Sequence, residues 1–158
     1  MDFLYASVGI VAGAILSWLV QTGWDTLTLS QSKKLLGKWR SAWQPRNEES
    51  GAAWVTETLT VRQGFGFLIL EGTHNSGGYQ WRAYVRVFKG NHVFGRWKSL
   101  RDGASSCGVL SLTMTPQGSY MFGVFHGPND EGKLEIGPFV CARRDEDMEK
   151  AKARLKFV

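Results

Sequence analysis

The sequence predicts a mainly β protein, in which an N-terminal transmembrane helix precedes an eight-stranded antiparallel meander β-barrel and a short C-terminal helix. Three observations lead to this prediction. From Leu35 onward, short runs rich in Val, Thr, Phe, Tyr and Trp alternate with glycine-containing turns. No helical pattern separates the runs, which excludes parallel crossovers. Eight strands in one small domain favour a closed sheet, because closure leaves no exposed edge.

The eight runs share a period-two alternation of side chains, which is typical of strands with one buried face. They span residues 36–43, 54–62, 65–72, 79–88, 92–99, 108–115, 120–127 and 133–143. In the second run Val55, Leu59 and Val61 share one face, and the threonines between them share the other. Glycine, proline and asparagine punctuate the chain between runs, so we expect successive strands to be joined as hairpins.

Residues 3–20 form a stretch of eighteen residues without a charge. As a helix this stretch spans about 27 Å, enough for a hydrocarbon core. A signal peptide would begin with Lys or Arg rather than with Asp2, and a buried core helix is rarely apolar on all sides. Lys33, Lys34 and further bases follow the stretch, so the positive-inside rule places the C-terminal side in the cytoplasm. We therefore expect a single-pass protein of the inner membrane.

Four segments follow from these patterns: a transmembrane helix over 1–22, a neck over 23–34, a β-barrel sensor domain over 35–144 and a C-terminal helix over 145–158. Acids open the last segment and bases end it, which suits the helix dipole. Met148, Ala151 and Leu155 form a thin apolar stripe on it. We expect this stripe to pack on a barrel mouth or on a neighbouring subunit.

Small residues recur every four positions in the apolar stretch, at Gly9, Gly13 and Ser17. Such a seam lets two membrane helices approach closely, although glycine and alanine are also common in membrane helices in general. The seam predicts a homo-oligomer that associates through these three residues.

The charge of the chain is concentrated in the predicted barrel. The net charge is +5, only Asp2 and Asp25 are charged before Lys33, and four acids and four bases cancel after Arg144. Residues 33–144 therefore carry +7. A basic cytoplasmic domain suits the anionic inner leaflet or a phosphate-bearing ligand, and charge alone does not choose between them. We expect no duplex DNA or RNA partner.

The sequence offers no reaction chemistry. His74, His92 and His126 lie on different runs, without metal-ligand spacing to one another or to Cys107 and Cys141. No nucleophile–base pair is visible. We expect a protein that is not an enzyme, with no catalytic residue, no metal site and no cofactor.

Two features of the runs bear on ligand binding. Glu57 shares the face of Val55 and Leu59, and an inward carboxylate needs a partner, either an arginine such as Arg143 or a ligand. Glu71 poses the same question. Aromatic and cationic residues interleave in the fourth and fifth runs, either as a nucleotide site or as a filled interior with a basic exterior. The candidate ligand-binding residues are Glu57, Tyr79, Trp81, Arg82, Tyr84, Arg96, Trp97, Lys98, His126 and Arg143.

The sequence resembles two known families of β-barrel proteins. Gly37-Lys38-Trp39 with Arg143 resembles the lipocalin-type pair, which implies a Trp that plugs one barrel end beneath an Arg. An anchor followed by a minimal basic barrel is similar to the CD-NTase-associated membrane β-barrel effectors of CBASS anti-phage systems. The matching positions are Gly37-x-Trp39, Tyr79, Trp81, Gly95-x-Trp97-x-Ser99, Gly108-x-Leu110-x-Leu112, Met121-x-Gly123 and residues 140–143.

The second resemblance implies a specific function. In that family the barrel binds a cyclic dinucleotide, the protein oligomerises, and its membrane segments disrupt the inner membrane to abort infection. Those effectors usually carry two transmembrane helices, whereas this sequence shows one. The sequence therefore predicts a non-enzymatic sensor-effector for a cyclic di- or oligonucleotide.

Two other functions compete with the sensor-effector. One is a membrane-tethered, lipocalin-like carrier of a lipid or small hydrophobic ligand, and the other is a subunit that docks another protein on the barrel. The charge of the cavity distinguishes the sensor-effector from the carrier. A lipid cavity has an apolar lining with few cations, whereas a dianionic ligand needs cations inside the barrel or at its rim.

Overall fold

Strands of alternating burial close into one antiparallel barrel in the computed structural model, which describes residues 13–18, 20, 30–44, 53–75, 77–88 and 91–155. Across those residues there are eight strands in meander order, as the sequence predicts. They are β1 (Gly37–Trp43), β2 (Val55–Gln63), β3 (Leu68–His74), β4 (Gln80–Phe88), β5 (His92–Ser99), β6 (Cys107–Met114), β7 (Tyr120–Pro128) and β8 (Leu134–Ala142).

Each strand pairs with its sequence neighbours, and β1 pairs with β8 to complete the ring, with Arg40 opposite Ala142. The predicted alternation in β2 is confirmed, because Leu59 and Val61 are buried while Thr56 and Thr58 are exposed. A short turn joins β6 to β7. Gly118, between β6 and β7, has a positive φ that side chains with a Cβ rarely adopt.

The inward side chains form the main hydrophobic core, which continues to one end of the barrel. Leu59, Leu70, Leu110 and Leu112 are fully buried there. Burying a leucine stabilises the fold by about 1.5–3 kcal/mol. Strand β1 begins at this end. Trp39 of β1 and Leu35, which precedes β1, both belong to this core.

A short 3-10 helix, Ser30–Leu35, leads into β1 and closes this end of the barrel. Leu35 is buried, and Trp39 Nε1 donates a hydrogen bond to its carbonyl at 2.7 Å. Arg143 lies with its guanidinium carbon 4.7 Å from the centre of the Trp39 ring and donates to the carbonyls of Lys34 and Leu36. The expected plug of a Trp beneath an Arg is therefore confirmed.

The C-terminal helix, Asp145–Arg154, packs on the outer wall formed by β7 and β8. Met148 and Ala151 are buried against Tyr120, Val140 and Ala142 in a second hydrophobic cluster. The expected helix and its stripe are present, but the expected packing on a barrel mouth or another subunit is wrong. The outward positions of β8 are Val140 and Ala142, so this stretch of wall is itself apolar and takes the stripe.

The predicted membrane helix falls mostly outside the described residues. Residues 13–18 and 20 are helical and exposed, which includes Gly13 and Ser17, while Gly9 and the predicted neck up to residue 29 lie outside the described part. Among the described residues, no helix has the length and apolar character that a membrane crossing requires. The transmembrane segment and the seam stay predictions.

The plug generates a first prediction. Arg143→Gln removes the cation–π contact with Trp39 and the charged donor to two backbone carbonyls, so we expect the free energy of unfolding to fall by about 1–2 kcal/mol. Urea denaturation measures the change. Arg154→Gln, an equal change of charge at an exposed position of the helix, should stay within about 0.5 kcal/mol of the unsubstituted chain. Equal losses in both variants would contradict the role given to the plug.

Candidate functional site

The end of the barrel opposite the plug contains a cavity of about 710 Å³. Its walls come from the ends of strands and from the loops that join β3 to β4, β5 to β6 and β7 to β8. Leu110, a residue of the main hydrophobic core, also lines it. Small-molecule sites in proteins occupy roughly 300–1,000 Å³. The cavity is therefore large enough for one ligand of that class.

Among the described residues, six aromatic rings line the cavity. They are Trp43, Tyr79, Trp81, Trp97, Phe125 and Phe139. Trp43 packs edge-on against Phe125 with the centroids 5.6 Å apart, and Trp97 packs against the same ring at 6.3 Å. Tyr79 continues the arc at 6.5 Å from Trp43. Edge-to-face contacts of this kind hold aromatic rings in defined orientations, so the wall is preorganised.

A buried carboxylate, that of Glu57, lies behind two of these rings. The residue is 1% exposed. Trp43 Nε1 donates to one carboxylate oxygen at 2.8 Å, and Trp81 Nε1 donates to the other at 2.8 Å. The Ser41 hydroxyl adds a third hydrogen bond at 3.3 Å. Because an unsatisfied buried carboxylate is costly, these donors fix both the acid and the two indole rings.

The contact between Trp81 and Glu57 crosses an intervening strand. Trp81 lies on β4 and Glu57 on β2, while Gly72 on β3 lies opposite Trp81. A Cβ added at Gly72 would lie 2.1 Å from Trp81 Nε1. The missing side chain of Gly72 is therefore what lets the indole reach across β3.

Burial raises the pKa of the Glu57 carboxyl above its ordinary value. The hydrogen bonds to the carboxylate and the charge of His74, which lies opposite Glu57 in the β2–β3 ladder, act in the other direction. Burial is the largest of these effects, and it raises the pKa because it disfavours the charged form. Burial also raises the pKa of Tyr79 in the neighbouring wall.

The rim of the cavity carries charged groups of both signs. Arg101 and His74 contribute basic side chains, and Asp130 and Glu135 contribute carboxylates. The backbone N–H of Ser106 donates to Asp130 Oδ1 at 3.0 Å, and Asn129 Nδ2 donates to Glu135 Oε1 at 2.9 Å. Each carboxylate is thus held by a hydrogen bond, and acidic and basic groups are mixed at the rim.

The indole N–H of Trp97 differs from those of Trp43 and Trp81. It is buried, and none of the described residues accepts a hydrogen bond from it. Buried polar groups in proteins are nearly always paired, and leaving one unpaired costs about 1–3 kcal/mol. An unsatisfied donor in the wall of a ligand-sized cavity is a feature of a binding site.

The predicted ligand-binding residues divide between several places. Tyr79, Trp81 and Trp97 line the cavity, and Glu57 lies behind its wall. The other six lie elsewhere: Arg82, Tyr84, Arg96, Lys98 and His126 occupy outward strand positions, and Arg143 lies at the plugged end. None of these six lines the cavity: strand alternation directs the first five away from it, and Arg143 lies at the other end of the barrel.

Two expectations about inward acids need correction. Glu57 is held by indoles and a hydroxyl, so the expected bridge to Arg143 is wrong, since Arg143 lies at the opposite end of the barrel. Glu71 faces outward, where it forms ion pairs with Arg62 and Arg82. The outward position of Glu71 follows from its alternation with Leu70, which is buried.

Several wall residues were missed from the sequence. Trp43 shares the inward parity of Trp39, and Phe125 shares that of Met121, so the period-two pattern was the signal for both. Arg101 and Asp130 come from loops, where no periodicity exists. Their approach to the cavity depends on the closed barrel.

No family model and no curated protein matches the chain. Solved structures with a similar fold include EF1p2_mFAP2b bound to DFHBI, at 12% identity and a TM-score of 0.56, covering 72% of this chain and 97% of that one. A redesigned β-barrel, b11L5F_LGL, matches at 12% identity and a TM-score of 0.52, covering 73% and 96%. Rv2717c from M. tuberculosis matches at 11% identity and a TM-score of 0.47, covering 74% and 97%. The first two likenesses show the barrel fold.

The hydrogen bonds of Glu57 generate a second prediction. Trp81→Phe keeps an aromatic ring but removes one donor from a buried carboxylate, so we expect the free energy of unfolding to fall by about 1–3 kcal/mol. Trp97→Phe is the matched control, because it deletes an N–H that has no acceptor among the described residues. Chemical denaturation of both variants compares the two losses. A loss for Trp97→Phe as large as that for Trp81→Phe would contradict the stabilising role of the Trp81–Glu57 bond.

The raised pKa of Glu57 generates a third prediction. The pKa of Glu57 in the folded chain lies above its ordinary value near 4.5, so the folded chain holds the Glu57 proton more tightly than the unfolded chain does. Stability contributed by this group therefore falls as the pH rises from 4.5 through the folded-state pKa. We expect the free energy of unfolding, taken as the unsubstituted chain minus Glu57→Gln, to decrease over that window. A difference that is flat or rises with pH would be inconsistent with a raised pKa.

Proposed function

We propose that this barrel binds a small, largely apolar ligand with an aromatic surface inside the cavity. The observation that carries the proposal is the aromatic wall around a cavity of about 710 Å³ at one end of a barrel whose other end is plugged. Apolar and aromatic walls with a few placed polar groups are typical of small-molecule sites. Stacking between ligand and rings adds to the area buried.

The charges around the cavity support a neutral or weakly charged ligand. Two carboxylates, Asp130 and Glu135, oppose Arg101 at the rim, and Glu57 lies behind the wall. Strand alternation places the cations of β4 and β5 outside. A dianion in the cavity would lack the cluster of cations that phosphate recognition uses. By the charge criterion drawn from the sequence, this arrangement favours the lipocalin-like carrier.

The cavity wall also indicates that the ligand carries one hydrogen-bond acceptor. Trp97 Nε1 is a buried donor, and no described residue accepts its hydrogen bond. A ligand that carries an acceptor at that point gains one hydrogen bond and removes the cost of the unpaired donor. A structurally similar barrel, EF1p2_mFAP2b, is bound to DFHBI, which makes this compound a useful probe.

The second candidate is the sensor-effector for a cyclic di- or oligonucleotide. The observation that favours it is the set of aromatic walls with Arg101 at the rim, because nucleobases stack on aromatic rings and phosphates pair with arginine. In that proposal the chain acts in anti-phage defence, where ligand binding drives oligomerisation and disruption of the inner membrane. Membrane disruption through the predicted helix and the Gly9–Gly13–Ser17 seam stays a prediction.

A ligand panel tests the two candidates on the full chain. We expect DFHBI or medium-chain fatty acids to raise the Tm in a concentration-dependent way, since a ligand that binds the folded state stabilises it. Cyclic dinucleotides should shift the Tm less. A Tm shift with cyclic dinucleotides alone would overturn the apolar-ligand proposal in favour of the sensor-effector.

Two variants show whether a ligand binds in the cavity. Val55 lines the cavity and Thr56, the next residue, is exposed on the outside of the same strand. Val55→Trp should fill the mouth and weaken binding at least tenfold, whereas Thr56→Trp should leave the Kd unchanged. Equal affinities in the two variants would place the ligand outside the cavity. Titration by tryptophan fluorescence or calorimetry gives the Kd.

A further inference from the structure

The outer surface of β4 and β5 carries rings and cations side by side. We call it the cationic–aromatic face, formed by Tyr84, Arg86, Phe88, Phe94, Arg96 and Lys98. Tyr84 is 43% exposed, and Phe88 and Phe94 are each 48% exposed. Large rings exposed to this extent on the wall of a barrel contribute nothing to its interior, so stability of the core does not explain them.

The ladder register mixes the two kinds of side chain. Tyr84 lies opposite Arg96, and Arg86 lies opposite Phe94. The apolar and charged groups therefore form one surface rather than two separate patches. A partner that satisfies both must offer negative charge and apolar material at the same place.

The sign of the charge on this face is uniform. The segments of β4, β5 and β6 contain no Asp or Glu. The carboxylate nearest in register is Glu71 on β3, opposite Arg82, and it is already engaged by Arg62 and Arg82. Arg82 lies directly opposite Lys98 in the ladder, but its ion pair with Glu71 offsets its charge, so Arg82 is not part of the face.

We propose that the cationic–aromatic face binds an anionic phospholipid surface. Cations near an anionic membrane each contribute to binding through its negative potential, and aromatic rings partition into the headgroup region. Residues 3–20 of the same chain are an uncharged apolar stretch, so lipid is the anionic surface that this sequence is equipped to reach. Single-stranded nucleic acid is the other partner with suitable chemistry, and the test below separates the two.

The native cysteines supply a probe for this interaction. Cys107 is exposed and lies opposite Lys98 in the β5–β6 ladder, at the border of the face, whereas Cys141 is buried. A surface that covers the face shields Cys107 from a neutral maleimide. The measurement uses the full chain on vesicles, so it reports the position of the barrel even where the apolar stretch alone holds the chain on the lipid.

We expect alkylation of Cys107 to be several-fold slower on vesicles of phosphatidylglycerol and phosphatidylcholine than on phosphatidylcholine alone. Arg96→Gln with Lys98→Gln should restore the faster rate, since each cation removed weakens membrane association about fivefold. Lys133→Gln with Arg154→Gln is the matched control, because it removes the same charge from exposed positions outside the face and should leave the protection intact. High salt should also restore the rate.

Three results would overturn the proposal. The first is an equal rate of alkylation on both kinds of vesicle. The second is an equal loss of protection in the control variant, which would reduce the effect to net charge. The third is protection of Cys107 by a single-stranded oligonucleotide but not by anionic vesicles, which would assign the face to nucleic acid. None of these results bears on the cavity, so the proposed ligand-binding function stands or falls separately.

Discussion

The alternation of side chains in a closed eight-stranded ladder is the constraint on which the rest of the structure depends. Eight strands enclose an interior barely wider than the side chains that fill it, so the size of each inward residue decides whether space is left. At one end Leu35 and Trp39 fill the interior beneath Arg143. At the other end the inward rings line the perimeter and Gly127 contributes no side chain, which leaves the cavity. One end of the barrel is therefore plugged, and the other end contains the cavity.

The carboxylate of Glu57 links the fold to the cavity. It satisfies the indole N–H groups of Trp43 and Trp81 and thereby fixes two of the rings that line the wall. Burial raises the pKa of this carboxyl, so its protonation is coupled to the order of the wall. The residue that orders the wall is therefore also its most deeply buried acid.

The sequence predicted the barrel well because strand alternation is a local property. It predicted the inward position of Glu57 and the pairing of Trp39 with Arg143, both of which depend on parity and on short patterns. It did not predict the partners of Glu57, because the bond to Trp81 depends on the register of three strands and on the empty position at Gly72. It also did not predict which charges surround the cavity, since Arg101 and Asp130 reach it from loops.

The basic excess of the chain was misleading as a guide to the cavity for a related reason. A net charge summed over residues 33–144 carries no information about which side of the barrel each residue faces. Parity places Arg82, Arg96 and Lys98 outside, while carboxylates share the rim with Arg101. These cations therefore lie on the outer surface of the barrel, and the aromatic rings line the cavity inside it. The cationic–aromatic face follows the outer wall of β4 and β5, whereas the cavity opens at the strand ends.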